Sequence, residues 1–205
     1  MTLSRPLPAP AAGQATGQAT APLLSADASA LLIVDVQEKL APAIAGGAAA
    51  VERIRLALDA ASALGVPVVA SEQYPQGLGP TVPELAERLP DGARFAKTHF
   101  SCLREPGFAE RWSALGRRQA LVCGMEAHVC VLQTALDLVS AGIETFVLAD
   151  GIGSRRDSNR DLALRRLTTA GAIALPAESA VFEWLGDADH PAFKPLIARI
   201  RNSGV

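Results

Sequence analysis

The sequence is poor in aromatic side chains and in net charge. Its 205 residues include six Phe, two Trp and one Tyr, so the hydrophobic fraction of 49% consists mainly of small and aliphatic residues. This composition favours an aliphatic α/β core over an all-β sandwich. A formal net charge of −2 at pH 7 provides no basic surface for nucleic acid or for an anionic membrane.

Cysteine is also scarce, and no hydrophobic run has the length and purity of a membrane span. Three cysteines, at positions 102, 123 and 130, cannot all pair within the chain, which argues against a disulfide scaffold and predicts a reducing, cytoplasmic compartment. Proline, glutamine and threonine interrupt the uncharged segment between Arg5 and Asp27, so it is too polar for a spanning helix or a secretory signal. The segment contains one basic residue, so its composition gives little support to an interpretation as a transit peptide. We expect residues 1–29 to be a disordered low-complexity tail.

From residue 30 onward, segments typical of strands alternate with segments typical of helices. Strands are expected at 30–36, 66–71, 94–96, 119–123, 145–149 and 172–175. Helices are expected at 51–64, 130–141, 157–169, 179–185 and 191–201. Such alternation indicates right-handed βαβ crossovers. The sequence therefore predicts one domain over residues 30–205, with a mostly parallel central sheet in a three-layer α/β/α arrangement.

Three chemically reactive or charged side chains follow predicted strands. Asp35 ends the first strand, Lys97 follows the edge strand, and Cys130 lies in the turn before a helix. Ligands bind beyond the carboxyl ends of parallel strands, so these residues can provide a base, a cation and a nucleophile at one rim. A cation and a helix N-terminus would lower the pKa of the thiol. Structural interpretations also exist: a packed Cys130, a helix-capping Asp35 and a solvated Lys97.

The motifs around these positions resemble the isochorismatase-like cysteine hydrolase superfamily. They read LIVDVQ at 32–37, AKTHFS at 96–101 and GMEAHVCVLQT at 124–134. The resemblance spans roughly residues 30–197, and it implies that superfamily's three-layer α/β/α hydrolase fold. Further segments are similar to the branch of isochorismatase domain-containing proteins: EQYP at 72–75, GLGPTVP at 77–83 and DHP at 189–191.

The resemblance implies a catalytic triad of Asp35, Lys97 and Cys130. It also implies a cis peptide between Met125 and Glu126 that aims the backbone N–H groups of Glu126 and Cys130 at a developing oxyanion. The implied reaction is hydrolysis of a small amide or related carbonyl compound. Cys130 forms an acyl thioester, Asp35 acts as general base and acid, and Lys97 gives electrostatic support. Cys102 and Cys123 are assigned to packing.

The sequence departs from some members of the superfamily at the positions that bind metal. Nicotinamidase-type members bind a metal through an Asp-x-His pair and a further His, whereas no histidine occurs here between residues 66 and 98. We expect no metal and no cofactor, which argues against a pyridine-carboxamide substrate. Cys130 argues against isochorismate, because isochorismatases proper use no cysteine nucleophile. Family members usually self-associate, so a homo-oligomer is expected.

The substrate-binding residues are less sharply defined than the triad. Gln37, Tyr74 and His128 are candidate polar side chains of the pocket, and His128 is equally well explained as a satisfied turn residue. A catalytically idle fold that serves as a binding or scaffold protein is the alternative to a hydrolase. A thiol-redox role for Cys130 is a third hypothesis, which the absence of a C-x-x-C motif weakens.

Overall fold

The computed structural model describes residues 22–202, and its centre is a six-stranded sheet. The strands are β1 (Ser29–Val34), β2 (Val68–Gln73), β3 (Arg94–Lys97), β4 (Gln119–Met125), β5 (Glu144–Gly153) and β6 (Ile173–Leu175). Their order in space is β3-β2-β1-β4-β5-β6, and every neighbouring pair is parallel. The predicted α/β class is confirmed, with β3 at the edge of the sheet as expected.

Helices cover both faces of this sheet. They are α1 (Gly47–Leu64), α2 (Pro75–Leu78), α3 (Pro83–Ala86), α4 (Phe108–Ala114), α5 (Leu132–Ser140), α6 (Asp157–Thr169), α7 (Ala177–Leu185) and α8 (Phe193–Asn202). The first, seventh and eighth pack on one face, and α4, α5 and α6 pack on the other. Within residues 22–202, no helix is long and apolar enough to cross a membrane.

The central strand β1 shows why this sheet is covered on both sides. All six of its residues are buried. Leu31 and Ile33 pack with the helices of one face, whereas Leu32 and Val34 pack with those of the other. Successive side chains of a strand point to opposite faces, so an unbroken apolar run requires two apolar layers.

The structure corrects several expectations drawn from the sequence. The tail does not extend to residue 29: Leu24 is 1% exposed and its N–H donates to Glu183 Oε2 at 2.7 Å. The Ser25 N–H donates to Gln119 Oε1 at 2.8 Å, so residues 22–28 belong to the domain, while residues 1–21 lie outside the described part. The expected loop at 74–80 contains the short helix α2. The helix expected from residue 130 begins instead at Leu132, after a π-helical turn, Ala127–Val131.

Candidate active site

The site lies where the strand order of the sheet reverses. From β1 the chain adds β2 and β3 toward one edge, and from β4 it adds β5 and β6 toward the other. A crevice forms beyond the carboxyl ends of strands at such a point. Asp35 directly follows β1, and Cys130 lies in the π-helical turn that follows β4. The two residues therefore stand on either side of the reversal.

A glycine allows β1 and β4 to approach closely at this end of the sheet. Gly124 has φ +118°, and a Cβ there would lie 2.0 Å from the carbonyl oxygen of Val34. No side chain larger than hydrogen fits without moving backbone. Asp35, which directly follows Val34 at the end of β1, has φ 52°. This is a left-handed conformation in which Asp is more frequent than most residues.

Asp35 and Lys97 form an ion pair that is closed off from solvent. Lys97 Nζ lies 2.8 Å from Asp35 Oδ2, and both side chains have 0% exposure. The hydroxyl of Ser71 donates to Asp35 Oδ1 at 2.6 Å. Lysine is almost never buried without a partner, so the solvated surface interpretation of Lys97 is wrong. The carboxylate is bonded on both oxygens, which fixes its plane.

The ammonium of Lys97 has three further acceptors. It donates to Gln73 Oε1 at 2.6 Å and to the carbonyl oxygens of His99 and Phe100, each at 3.2 Å. Burial lowers the pKa of Lys97, but the charge of Asp35, joined by that of Cys130 once its thiol ionises, outweighs that effect and raises it. Three N–H bonds are thus shared among four oxygen atoms, and the group stays a cation held in place.

Cys130 lies beside this ion pair with a small opening to solvent. Its residue exposure is 6%, and its thiol donates to Gln73 Oε1 at 3.9 Å. Burial raises the pKa of the thiol, the carboxylate of Asp35 raises it further, and Lys97 opposes both. The lowered pKa expected from the sequence is therefore wrong for the resting protein. Desolvation and a carboxylate within hydrogen-bonding reach keep the proton on sulfur.

The turn that carries Cys130 is anchored by polar contacts. The peptide bond between Met125 and Glu126 is cis. The carboxylate of Glu126 accepts hydrogen bonds from the backbone N–H and the Nε of Arg155, each at 3.1 Å. Burial opposes ionisation of Glu126, but these contacts lower its pKa. His128 Nδ1 lies 3.0 Å from Ser154 Oγ, and the amide of Asn159 donates to its Nε2 at 3.4 Å. Both ring nitrogens of His128 are therefore occupied, as in the turn-residue interpretation.

The other two candidate pocket residues have different positions. Gln37 is fully buried: its amide donates to the carbonyl oxygens of Gln73 and Gly79, at 3.0 and 2.7 Å, and accepts from the Gln73 N–H at 2.8 Å. Its polar atoms thus hold backbone and do not face a cavity. Tyr74 is 57% exposed and borders a cavity of about 130 Å³. That cavity is lined by Tyr74, Pro75, Gln76, Ala96, Lys97, Thr98 and Glu105.

Sequence reasoning missed two side chains on β2 that complete the site. Ser71 binds the carboxylate of Asp35, and Gln73 binds both the ammonium of Lys97 and the thiol of Cys130. Residues two apart in a strand share a face. Two polar residues on one face at the carboxyl end of a buried strand were the signal that could have revealed them.

In the described part of the chain, no group of metal ligands accompanies the ion pair, and a larger cavity lies apart from it. Among residues 22–202, no three His, Cys, Asp or Glu side chains are grouped so as to hold a metal ion. A cavity of about 390 Å³ is bordered by residues of α1 and α3, and no member of the ion pair or thiol borders it.

These features define a doubly wound, parallel α/β protein with a buried Asp–Lys pair beside a cysteine where the strand order reverses. The family model for the Isochorismatase domain matches residues 29–179, and the chain belongs to this family. It is 39% identical to isochorismatase domain-containing protein 2 of Xenopus laevis over 168 residues, which is 82% of this chain and 81% of that protein.

Two solved structures share the fold over nearly their whole length. The MAR1 ribonuclease of Caenorhabditis elegans has 36% sequence identity and a TM-score of 0.83, covering 88% of this chain and 93% of that one. The YcaC protein of Pseudomonas aeruginosa, solved with hexane-2,5-diol and covalent acrylamide, has 25% identity and a TM-score of 0.83. That match covers 91% of this chain and 99% of the other. The expected family and fold are thus confirmed.

Proposed function

We propose that this protein is a cysteine hydrolase that cleaves a small amide or a related carbonyl compound. The single observation that carries the proposal is the buried ion pair of Asp35 and Lys97, whose two charges both act on the thiol of Cys130. A nucleophile, a proton acceptor and a fixed cation within mutual reach are the parts that acyl transfer needs.

The first stage of the proposed reaction forms an acyl enzyme. The sulfur of Cys130 attacks the carbonyl carbon of the substrate while Asp35 takes the thiol proton. The substrate oxygen becomes an oxyanion, which the backbone N–H groups of Glu126 and Cys130 stabilise. The carbon–nitrogen bond then breaks, and the leaving amine takes the proton from Asp35. The products of this stage are a free amine and a thioester on Cys130.

The second stage returns the enzyme to its starting state. Asp35 removes a proton from water, and the resulting hydroxide attacks the thioester carbon. The carboxylic acid leaves, and the sulfur recovers a proton from Asp35. Lys97 remains charged throughout, because its N–H bonds are directed at Asp35, Gln73 and two carbonyl oxygens. Its role in the proposal is electrostatic support and not proton transfer.

The small opening at the thiol favours a small substrate, since Cys130 is 6% exposed. Acrylamide is a small amide, and the related YcaC structure holds it covalently. We therefore choose short-chain amides, carbamates and acrylamide itself as probes of the site.

Cleavage of RNA is a second candidate, because the related C. elegans protein is named a ribonuclease. The site supports it less well. Phosphodiester cleavage needs cations free to bind phosphate oxygens, whereas the ammonium of Lys97 already has four acceptors. A catalytically idle fold is the third candidate, and the complete triad counts against it.

Release of ammonia or amine from a panel of small amides tests the proposal. We expect turnover by the unaltered protein, loss of turnover in Cys130→Ser, and normal turnover in the matched control Cys123→Ser, whose buried thiol donates to the carbonyl oxygen of Leu32. RNA cleavage that survives purification and is lost in Cys130→Ser would favour the second candidate. Neither activity on any probe would favour the idle fold.

Three further expectations stay predictions of the sequence: hydrolysis without a metal or cofactor, self-association, and a cytoplasmic location. Elemental analysis of the purified protein, turnover in the presence of a chelator and mass measurement in solution test the first two. Localisation of the tagged full-length chain tests the third. Activity that requires an added metal would contradict the first.

A further inference from the structure

The segment after β3, residues 98–100, directs its carbonyl oxygens toward the site. Thr98 O accepts from the side-chain amide of Gln73 at 2.7 Å. The carbonyl oxygens of His99 and Phe100 accept from Lys97 Nζ, each at 3.2 Å. Half of the acceptors of the buried ammonium therefore belong to the backbone of this short segment.

One carboxylate holds the opposite side of the same segment. Glu105 Oε2 accepts from the backbone N–H groups of Thr98 and His99, at 2.9 and 3.0 Å, and lies 2.8 Å from His99 Nδ1. These contacts lower the pKa of Glu105 to about 2, so the group is ionised at neutral pH. Hydrogen bonds to a charged acceptor are roughly twice as strong as neutral ones.

We propose that Glu105 is a positioning residue for Lys97: it binds the N–H groups of Thr98 and His99 and the ring of His99, and so fixes the start of the segment whose next two carbonyl groups face the ammonium. The consequence of this positioning role for catalysis rests on the proposed function. Glu105 lies in the loop before α4 and does not bond to the triad itself; it acts through the backbone. Nothing in the triad motif around Lys97 indicates this role.

The physical basis is the flexibility of the lysine side chain. An ammonium on four methylene groups keeps one position only when its acceptors are fixed. Asp35 and Gln73 fix two of them from β1 and β2. The other two depend on a loop segment, whose N–H groups lose their charged acceptor if Glu105 is removed. The titratable groups that act on Lys97 are Asp35, Cys130 and Cys102, and the position of Lys97 among them affects the thiol.

The rate at which acrylamide alkylates Cys130 distinguishes positioning of Lys97 from a purely structural role of Glu105. The two roles predict opposite changes in that rate when Glu105 is removed. Lys97 lowers the pKa of the thiol. A displaced ammonium therefore raises that pKa and slows alkylation at a fixed, mildly alkaline pH. Local loosening of the loop would instead expose the sulfur and speed alkylation. Mass spectrometry of the labelled peptide distinguishes Cys130 from the two other cysteines.

The test compares Glu105→Gln and Glu105→Ala with the unaltered protein and with the control Glu144→Gln, which removes an exposed ion pair with Arg118. We expect Glu105→Ala to alkylate at least about threefold more slowly, equivalent to about half a pKa unit. Glu105→Gln, which keeps an oxygen acceptor, should fall between, and the control should match the unaltered protein. Equal or faster alkylation in Glu105→Ala would overturn the proposal.

The same series separates this proposal from the proposed function. If the unaltered protein hydrolyses no amide but the alkylation order holds, Glu105 positions Lys97 in a site whose reaction is different. If amides are hydrolysed and Glu105→Ala alkylates normally, the hydrolase stands and the positioning role fails. For an active enzyme we also expect Glu105→Ala to lower kcat more than it changes KM.

Discussion

Lys97 Nζ lies 2.8 Å from Asp35 Oδ2, although the two residues come from strands that are not neighbours. β2 lies between β1 and β3, and two polar side chains on one face of it each bind one member of the pair. Ser71 donates to the carboxylate, and Gln73 accepts from the ammonium. The ends of three adjacent strands therefore bury one ion pair together. A substitution in any of these strand ends alters the charges or hydrogen bonds around the thiol of Cys130.

Replacing Lys97 by methionine should destabilise the protein strongly. The substitution leaves the Asp35 carboxylate buried without its partner, a change that typically costs about 3–5 kcal/mol. Urea unfolding of the single variant measures the loss. The double variant Asp35→Asn with Lys97→Met removes both charges, and we expect it to recover most of the stability while remaining inactive. A double variant no more stable than Lys97→Met would contradict the assigned ion pair.

Replacing Asp35 by asparagine should abolish turnover but speed alkylation of the resting thiol. Burial and the Asp35 charge both raise the pKa of Cys130, and the carboxylate's effect exceeds the opposing effect of Lys97. Its removal therefore lowers that pKa and increases the thiolate fraction; a decrease of about one unit gives about tenfold faster labelling below the pKa. The pH dependence of the acrylamide reaction measures it.

Two observations check the sign of this prediction. In the unaltered protein, labelling should rise about tenfold per pH unit through neutrality without a plateau, because the thiol is still protonated there. The control Asp59→Asn, which removes an acid bonded to Arg88 and Arg199 on the opposite face, should label normally. Slower labelling in Asp35→Asn would mean that the carboxylate already activates the thiol before substrate binds.

Substituting Gly124 by alanine tests the close approach of β1 and β4. The new methyl group would lie 2.0 Å from Val34 O, so the strands would have to separate. We expect a loss of about 1–3 kcal/mol from overpacking in addition to about 1–3 kcal/mol of backbone strain. Gly171→Ala is the matched control, since Gly171 has φ +100° with no atom within 4 Å of the added carbon. Thermal unfolding that is equal in the two variants would contradict the steric argument.

Local sequence patterns predicted most of the fold. The helix expected at 157–169 matches the bounds of α6 in full, because its helical propensity and periodicity are local properties. The tail boundary was wrong because Leu24 and Ser25 are ordered by Glu183 and Gln119, residues far along the chain. Such contacts leave no trace in the composition of the segment itself.

The same distinction between local sequence and distant contacts applies to the candidate site. The sequence by itself determined that an acid, an ammonium and a thiol lie at or just beyond the carboxyl ends of three strands of a parallel sheet, since the residue order and the local patterns that form strands are properties of the chain. Only the tertiary structure decided that the thiol keeps its proton, that Gln37 holds backbone and that Ser71 and Gln73 complete the ion pair. Desolvation and hydrogen-bond partners depend on groups brought together from positions such as 35 and 97, and that environment exists only after folding.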